Sequence, residues 1–164
     1  MNSSGYNYGG WKDSEMRTYL NSTASGNFYA GLPTDLKSVI KSVNKVSDDG
    51  YDESTGVAPD TLVTTSDKLW LLSTEEAGLY RDYSNVRDYT LSGQGSAYAL
   101  YKNDASRVVS DYEYDGSYDD YGEYYWLRSA CSNYRSYFWC VAYAGSNNYV
   151  GAANAHRVAP GFCI

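Results

Sequence analysis

The sequence predicts a single α+β domain, in which short helices in the N-terminal part precede strands in the C-terminal part. Three observations lead to this class. Apolar residues recur at helical spacing in two segments before residue 47, aromatic and branched residues gather near the C-terminus, and the residues between show little periodicity. The length of 164 residues is near that of one domain, so residues 1–164 are assigned to one unit.

The first helix is predicted over residues 14–22. Asp13 or Ser14 can accept a hydrogen bond from a free N–H group at the start of this segment. Apolar side chains then follow three and four positions apart, on one face of a helix: Met16, Tyr19 and Leu20.

A second helix is predicted within residues 32–46, with Thr34 or Asp35 as its N-terminal cap. Its apolar stripe consists of four residues: Leu36, Val39, Ile40 and Val43. Three lysines alternate with this stripe, and we interpret them as a solvent-exposed face: Lys37, Lys41 and Lys45.

The middle of the chain is predicted to be mostly irregular. Residues 47–61 have the composition of a loop, and residues 78–124 predict long surface loops. Between them, residues 68–73 predict a buried strand, or a strand leading into a helix, because Ser73 and Glu76 have the spacing of a capping box.

The last forty residues supply the predicted sheet. Aromatic and branched residues predict strands at 124–128 and 138–143. A turn at 143–146 would return the chain through 147–153, and residues 157–164 would close the domain.

Side chains alternate across the second of these strands. Trp139 and Val141 fall on one face and Cys140 and Ala142 on the other. We interpret the first pair as core, which predicts that the second pair faces outwards or towards a loop.

The net charge of −7 argues against nucleic acid as a partner, because phosphate binding needs a concentrated basic face. All twenty acidic residues lie at or before Glu123. The final segment, residues 124–164, contains three arginines as its formally charged residues: Arg128, Arg135 and Arg157. A neutral or basic surface on an acidic body favours anionic or polar partners. The sequence contains no run of 18 apolar residues, so it does not predict a membrane-spanning helix.

The sequence contains no catalytic or metal-binding motif, and we predict neither an enzyme nor a cofactor or metal site. The single histidine, His156, lies outside any G-x-S-x-G or H-E-x-x-H motif. A dyad of His156 with Cys131, Cys140 or Cys163 stays open, since such residues meet only in the fold. The acidic run at 111–124 lacks the spacing of a calcium-binding loop, which leaves calcium binding there undecided.

Residues 131–157 have the composition of a binding surface. Tyrosine and arginine offer large amphipathic contacts, and serine and asparagine offer adaptable hydrogen bonds, as in antibody paratopes. For each tyrosine the alternative is that it simply packs on the sheet. The residues concerned are Tyr134, Tyr137, Tyr143, Tyr149, Arg135, Arg157, Ser132, Ser136, Ser146, Asn133, Asn147 and Asn154.

Residues 131–157 are drawn from a restricted set of residue types. Free change of the first two bases of an AAC or AAT codon yields a limited set of residue types, and Trp139 is the one residue of 131–157 outside that set. Average composition would place roughly one residue in five outside it. This deficit is the pattern expected of a segment diversified at adenines.

Six motifs resemble a known family. They are GGWKDSEMRTYLNS (9–22), LPTDLKSVIKSV (32–43), DKLWLLSTEE (67–76), NDASRV (103–108), YWLRS (125–129) and VAPGFCI (158–164). In this order they are similar to the variable proteins of diversity-generating retroelements, in a branch common in gut bacteria and their phages. The resemblance implies a C-type-lectin-type fold of the formylglycine-generating-enzyme-like subclass, with two helices, long irregular loops and a small twisted antiparallel sheet that displays a variable surface.

The resemblance also implies which residues bind a ligand. The partner would be a protein or glycan on a cell surface, and the protein would act on a cell surface or a phage virion. A fixed-specificity lectin-like module is the alternative, and an oxidase of the formylglycine-generating type, which needs a reactive cysteine pair, is a further one. The expected variable residues are Cys131, Ser132, Asn133, Tyr134, Arg135, Ser136, Tyr137, Cys140, Ala142, Tyr143, Asn147, Tyr149, Asn154, His156 and Arg157.

Overall fold

The computed structural model describes residues 1–109 and 123–164. Within these residues the fold is α+β, with short helices and two small antiparallel sheets, which confirms the predicted class. The helices are α1 (Glu15–Asn21), α2 (Phe28–Gly31), α3 (Thr34–Val39), α4 (Leu79–Asp82) and α5 (Ser84–Asp88), with a 3₁₀ helix at Asp104–Arg107. The strands are β1 (Val43–Asp48), β2 (Leu62–Asp67), β3 (Tyr125–Ala130), β4 (Tyr137–Val141) and β5 (Asn147–Gly151).

The prediction of the first helix is confirmed. The Ser14 side chain caps α1 by accepting a hydrogen bond from the backbone N–H of Arg17 at 3.1 Å. Leu20 is fully buried, whereas Tyr19 is 42% exposed. At the end of α1 the Asn21 side chain accepts hydrogen bonds from the backbone N–H groups of residues 68 and 69, which fixes the helix against the middle of the chain.

The prediction of the second helix is wrong beyond Val39. α3 ends there, and the chain enters β1 at Val43 to pair antiparallel with β2. Pro33 occupies the N-cap position, so neither predicted capping residue caps α3. The spacing of the apolar residues fits a helix, but the β-branched residues also suit a strand, and pairing with the distant β2 decides between them.

The interpretation of the lysines as a solvent-exposed face is wrong for Lys45. This residue lies in β1 and is only 9% exposed. Its Nζ atom lies 2.8 Å from Glu76 Oε1 and 4.2 Å from the ring centroid of Trp70. A buried lysine requires such partners, because an unpaired buried charge is very costly.

Residues 69–73 are buried, as predicted, and Lys68 is half-buried, but residues 68–73 do not form a regular strand. Their backbone makes an isolated antiparallel bridge, between Trp70 and Gly161. The capping box is present: the backbone N–H of Ser73 donates to the Glu76 carboxylate and the backbone N–H of Glu76 donates to the Ser73 hydroxyl, each at 3.1 Å. It closes a turn rather than a helix.

The C-terminal sheet has the order β3-β4-β5, and both pairings are antiparallel. A tight turn joins β4 to β5 and depends on Gly145, whose φ is +81°. A Cβ atom there would lie 1.8 Å from the backbone oxygen of Asp104, so only glycine fits. Beyond β5 the predicted closing strand is present only as isolated bridges, at Arg157, Gly161 and Cys163.

Both faces of this sheet are covered by apolar cores. One core contains Trp11, Leu20, Trp70, Trp126, Phe138 and Cys140. The other contains Leu79, Val86, Leu127, Trp139 and Val141. Trp139 and Cys140 do fall on opposite faces, but the expectation that Cys140 and Ala142 face outwards is wrong, because they are 0% and 6% exposed.

No helix in the described ranges is long and apolar enough to cross a membrane. Across residues 1–109 and 123–164 no group of three or more histidine, cysteine, aspartate or glutamate side chains could hold a metal ion. The acidic segment 111–124 lies outside the described residues, apart from its last two positions.

Candidate functional site

The loop that joins β3 to β4 is held by the side chain of one residue from the N-terminal segment. We call residues 131–137 the β3–β4 loop, although Tyr137 is already the first residue of β4. The fully buried amide of Asn7 donates to the backbone oxygens of Tyr137 at 2.8 Å, Tyr134 at 3.0 Å and Cys131 at 3.4 Å. All three acceptors are carbonyl groups, so these bonds are independent of the loop's side chains.

Three further hydrogen bonds fix the β3–β4 loop, and each uses its main chain. The backbone N–H of Asn7 donates to the oxygen of Arg135 at 2.8 Å. The hydroxyl of Tyr51 donates to the oxygen of Ser132 at 2.9 Å, and the N–H of Ser132 donates to the oxygen of Tyr89 at 3.0 Å. The loop is therefore positioned from outside, with its side chains left for other contacts.

Three tyrosines form one aromatic group on this surface, which we call the Tyr134 cluster: Tyr134, Tyr137 and Tyr149. Their ring centroids lie 5.3 to 5.6 Å apart. Tyr149 also stands edge-on to the buried Trp139 at 5.3 Å. Tyr134 is 43% exposed, whereas Tyr137 and Tyr149 are half-buried. The cluster thus rests on the core and presents a rigid aromatic surface outside it.

A second aromatic group, the His156 cluster, consists of Tyr124, Tyr143 and His156. The His156 ring stacks on Tyr124 at 5.4 Å and stands edge-on to Trp126 at 5.1 Å. Its Nε2 atom is buried, and within the described residues it has no hydrogen-bond partner. Burial lowers the pKa of His156, so the ring is neutral at neutral pH.

The structure divides the predicted site residues into three groups by exposure. Asn133, Tyr134, Arg135, Tyr143, Asn154 and Arg157 are exposed. Ser132, Ser136, Tyr137, Asn147, Tyr149 and His156 are half-buried. Cys131, Cys140 and Ala142 are buried, at 0%, 0% and 6% exposure.

Three members of the predicted ligand-binding set are buried rather than exposed. The sequence predicted that Cys140 and Ala142 face outwards or towards a loop, and the structure places Cys140 in the core that contains Trp126 and Phe138. Cys131 lies in the core with Trp139, at the inner end of the β3–β4 loop. Cys131 and Cys140 therefore offer no exposed surface to a ligand, and Ala142 offers very little.

All three cysteines are free thiols. Burial raises the pKa of Cys140 to about 12 and also raises the pKa of Cys131. Since the thiolate is the reactive form, both sulfurs are poor nucleophiles at neutral pH. Cys131 and Cys140 belong to cores on opposite faces of the sheet.

Beneath the surface lies a buried charged group, the Glu76 cluster: Lys45, Glu76 and Arg128. The Arg128 guanidinium donates to Glu76 and to the backbone oxygens of Leu71 at 2.7 Å and Gln94 at 2.7 Å. Burial alone would raise the pKa of Glu76, but hydrogen bonds and charge from Arg128 and Lys45 outweigh it and hold the pKa below its ordinary value. The cluster joins β1, β3 and the turn at residues 73–76.

The sequence gives little sign of the residues that hold the β3–β4 loop. Asn7 and Tyr51 are one polar and one aromatic residue in segments with turn or loop composition. Their role depends on a contact about 125 positions along the chain for Asn7 and 81 for Tyr51, which no local pattern encodes. The aromatic residues and glycines near Asn7 and near Tyr51 are the only features of the sequence that could have indicated this role.

A search of curated proteins and a search of solved structures found no match to this chain. One family model matches residues 1–164, and its description is "Domain of unknown function (DUF6273)". The protein therefore belongs to the DUF6273 family, whose model matches residues 1–164.

Proposed function

We propose that the protein is a non-enzymatic ligand-binding display domain whose segment 131–157 varies in sequence while the fold persists. In this proposal the scaffold is of the C-type-lectin type, in its formylglycine-generating-enzyme-like subclass, and the segment is diversified by adenine-directed mutagenesis. The ligand is a protein or glycan on a cell surface. The protein acts on a cell surface or a phage virion.

The observation that carries the proposal is the attachment of the β3–β4 loop through its main chain. Six hydrogen bonds to the loop from Asn7, Tyr51 and Tyr89 use its carbonyl or N–H groups. A loop held in this way keeps its path when its side chains change. Tolerance of substitution and a fixed shape are the two properties that a diversified binding surface requires.

The rest of the segment is attached in the same manner. The backbone oxygen of Ala152 accepts hydrogen bonds from the N-terminal amine of Met1 at 2.8 Å and from the N–H of Asn2 at 2.9 Å. Arg157 exchanges backbone bonds with Tyr124 and Trp126, each at 3.1 Å. Side chains outside the cores are thereby left as the variable part of the surface.

The chemistry of that surface supports ligand binding. The Tyr134 cluster supplies aromatic area at low entropic cost, and neighbouring serine and asparagine side chains supply adaptable hydrogen bonds. Trp139, the one residue outside the adenine-derived set, is fully buried. Because Trp139 packs in the core, its substitution would destabilise the fold, so this position belongs to the constant scaffold in the proposal.

The state of the cysteines supports binding over oxidation. An oxidase of the formylglycine-generating type needs two reactive sulfurs close together. Cys131 and Cys140 are buried, have raised pKa values and lie in different cores, and Cys163 is exposed near the C-terminus. This arrangement favours a binding module.

The test is simultaneous replacement of exposed site residues by alanine: Asn133, Tyr134, Arg135, Tyr143 and Asn154. We expect the melting temperature to change by only a few degrees, because surface substitutions usually change the free energy of unfolding by less than about 0.5 kcal/mol each. Ligand binding, scored on arrays of cell-surface proteins and glycans with and without calcium, should be lost. The comparison is Trp126→Ala, which should cost roughly 3 to 5 kcal/mol as a core truncation.

Collapse of the five-residue variant would contradict the proposal. Diversification is tested separately in the genome, where a near-copy of the codons for residues 131–157, differing only at adenines, should lie beside a reverse transcriptase gene. If no such copy exists and binding is still lost in the variant, the protein is a binding module of fixed specificity. Turnover of a cysteine-containing peptide would favour the oxidase.

A further inference from the structure

A cleft with a volume of about 890 Å³ lies beside the β3–β4 loop but contains no residue of 131–157. Its walls come from residues 2–15 and residues 49–53. The two walls meet where Gly50, with a φ of +67°, approaches residue 10 so closely that a Cβ atom would lie 2.2 Å from the Gly10 nitrogen. A cleft of this volume suits a large side chain or a short peptide better than a single ion.

The aromatic part of the cleft is formed by tyrosines. The rings of Tyr6 and Tyr8 are stacked, with centroids 4.7 Å apart and planes inclined by 16°. Tyr51 lines the cleft from the opposite wall. The face of an aromatic ring carries partial negative charge, so stacked rings at an open cleft attract a flat cation.

Among the described residues, the charged side chains that line the cleft are all acidic. The carboxylates of Asp13, Asp49 and Glu53 line it, and within the described residues none of them forms an ion pair. The carboxylates of Glu15 and Asp52 line it too and already accept hydrogen bonds from neighbouring serine and threonine, and Asp49 accepts one from the backbone N–H of Thr61 at 3.5 Å. Like charges that line one cleft repel each other, and a positively charged ligand would relieve that repulsion.

The chain itself shows which cation the tyrosines accept. The guanidinium of Arg135, from the β3–β4 loop, lies over the ring of Tyr6 with its carbon 5.5 Å from the centroid. This contact is independent of the carboxylates and places an arginine at the rim of the cleft. A planar guanidinium can stack on a tyrosine while donating paired hydrogen bonds to a carboxylate, which a lysine ammonium cannot do.

We propose that this cleft binds an arginine side chain of a partner polypeptide. The ring of Tyr6 stacks on the guanidinium, and Asp13 and Glu53 accept its hydrogen bonds. The site lies outside 131–157 and keeps its sequence whether or not that segment varies, so it does not depend on the proposed function. Arg135 competes for the same ring, which couples the cleft to the β3–β4 loop.

The test uses the peptide Gly-Arg-Gly-Arg-Gly as probe, with binding measured by calorimetry at low ionic strength. Matched peptides contain lysine or the uncharged analogue citrulline in place of arginine. We expect the arginine peptide to bind more tightly than the lysine peptide and the citrulline peptide not to bind. The double variant Asp13→Asn/Glu53→Gln and the single variant Tyr6→Leu should each weaken arginine-peptide binding about tenfold or more.

Two matched controls separate a site from general attraction to an acidic protein. Asp35→Asn/Asp88→Asn removes the same charge from exposed positions outside the cleft and should leave binding unchanged. Arg135→Ala should tighten binding several-fold by freeing Tyr6, whereas Lys41→Ala, which removes the same charge elsewhere, should not. Equal effects of the two double variants, or equal binding of the arginine and citrulline peptides, would overturn the proposal.

Discussion

Arg128 of the Glu76 cluster lies just before the β3–β4 loop along the chain, yet the cluster and the loop are stabilised in different ways. In the Glu76 cluster, charged side chains bind one another: Arg128 and Lys45 share the carboxylate of Glu76, and Arg128 also donates to backbone oxygens. In the loop, side chains from outside bind main chain, through Asn7 and Tyr51. The first arrangement requires particular residues at each position, and the second requires only a backbone of the right shape.

The difference shows how a protein can combine a fixed frame with a tolerant surface. Only two residues separate Arg128, which is fully buried, from the start of the loop. Substitution of Arg128 should therefore greatly lower the free energy of unfolding, whereas substitution at most exposed positions of the β3–β4 loop should leave it nearly unchanged. Three changes test this contrast, from the largest expected effect to the smallest.

The largest effect is expected from Arg128→Met. The change removes the guanidinium and leaves Glu76 buried with Lys45 as its remaining charged partner. Breaking a buried ion pair by removing one member costs roughly 3 to 5 kcal/mol. Urea denaturation measures the loss, and Arg135→Met provides the matched substitution in the β3–β4 loop, where we expect a change below about 0.5 kcal/mol. Similar losses in both variants would remove the contrast.

The next effect concerns Asp48, which joins the two regions. Its carboxylate accepts hydrogen bonds from the backbone N–H of Ala130 at 3.0 Å, the Gln94 side chain at 3.1 Å and the backbone N–H of Gly50 at 3.2 Å. Burial raises the pKa of Asp48 from 3.8 to about 7, although these hydrogen bonds lower it. Between about pH 4 and pH 7 the folded protein thus holds a proton that the unfolded chain has released. The contribution of Asp48 to stability is therefore complete below pH 4 and is lost as the pH rises towards 7.

The measurement is the free energy of unfolding of the wild type minus that of Asp48→Asn, at pH 4 and at pH 7.5. We expect this difference to fall by up to about 4 kcal/mol as the pH rises, since each pKa unit corresponds to about 1.4 kcal/mol. Taking the difference cancels the opposite trend from Glu76, which both proteins contain. A difference that does not vary with pH would show that Asp48 titrates normally.

The smallest effect is expected from Asn7→Ala. The change leaves three carbonyl groups of the β3–β4 loop without the amide that binds them, at a cost of roughly 1 to 3 kcal/mol. Backbone amide chemical shifts should move within 131–137 and stay fixed in β1 and β2. The control is Asn133→Ala, which is exposed and should be neutral. Unchanged loop shifts in Asn7→Ala would refute main-chain attachment as the basis of the proposed function.

Predictions from the sequence were confirmed where a local pattern is compatible with a single local structure. Ser14 caps α1, and the Ser73–Glu76 capping box closes its turn, because both depend on residues three positions apart. The strands β3 and β4 lie in segments rich in aromatic and branched residues, and β5 lies where the chain was predicted to return after the turn at 143–146. The end of α3 was missed because residues 36–43 suit either state and the partner strand lies about twenty positions away.

Predictions of exposure were weaker, because exposure depends on what packs against each face. Alternation placed Trp139 and Cys140 on opposite sides of β4, but it cannot tell whether one side or both are covered. Lys45 resembled its exposed neighbours in sequence, and only the position of Glu76 makes it a buried partner. The sequence shows that residues 131–157 are rich in residues that suit binding, but it does not show that Asn7 holds the β3–β4 loop.

By itself the sequence determined the α+β class, the position of α1, the strands of the C-terminal sheet and a segment rich in residues that suit binding. The tertiary structure alone decided that Cys131, Cys140 and Ala142 are buried, that Lys45 and Arg128 share Glu76, and that Asn7 holds the β3–β4 loop. The reason is physical. Caps, turns and strand propensity act over a few residues, whereas burial and long-range hydrogen bonds depend on which distant segments meet.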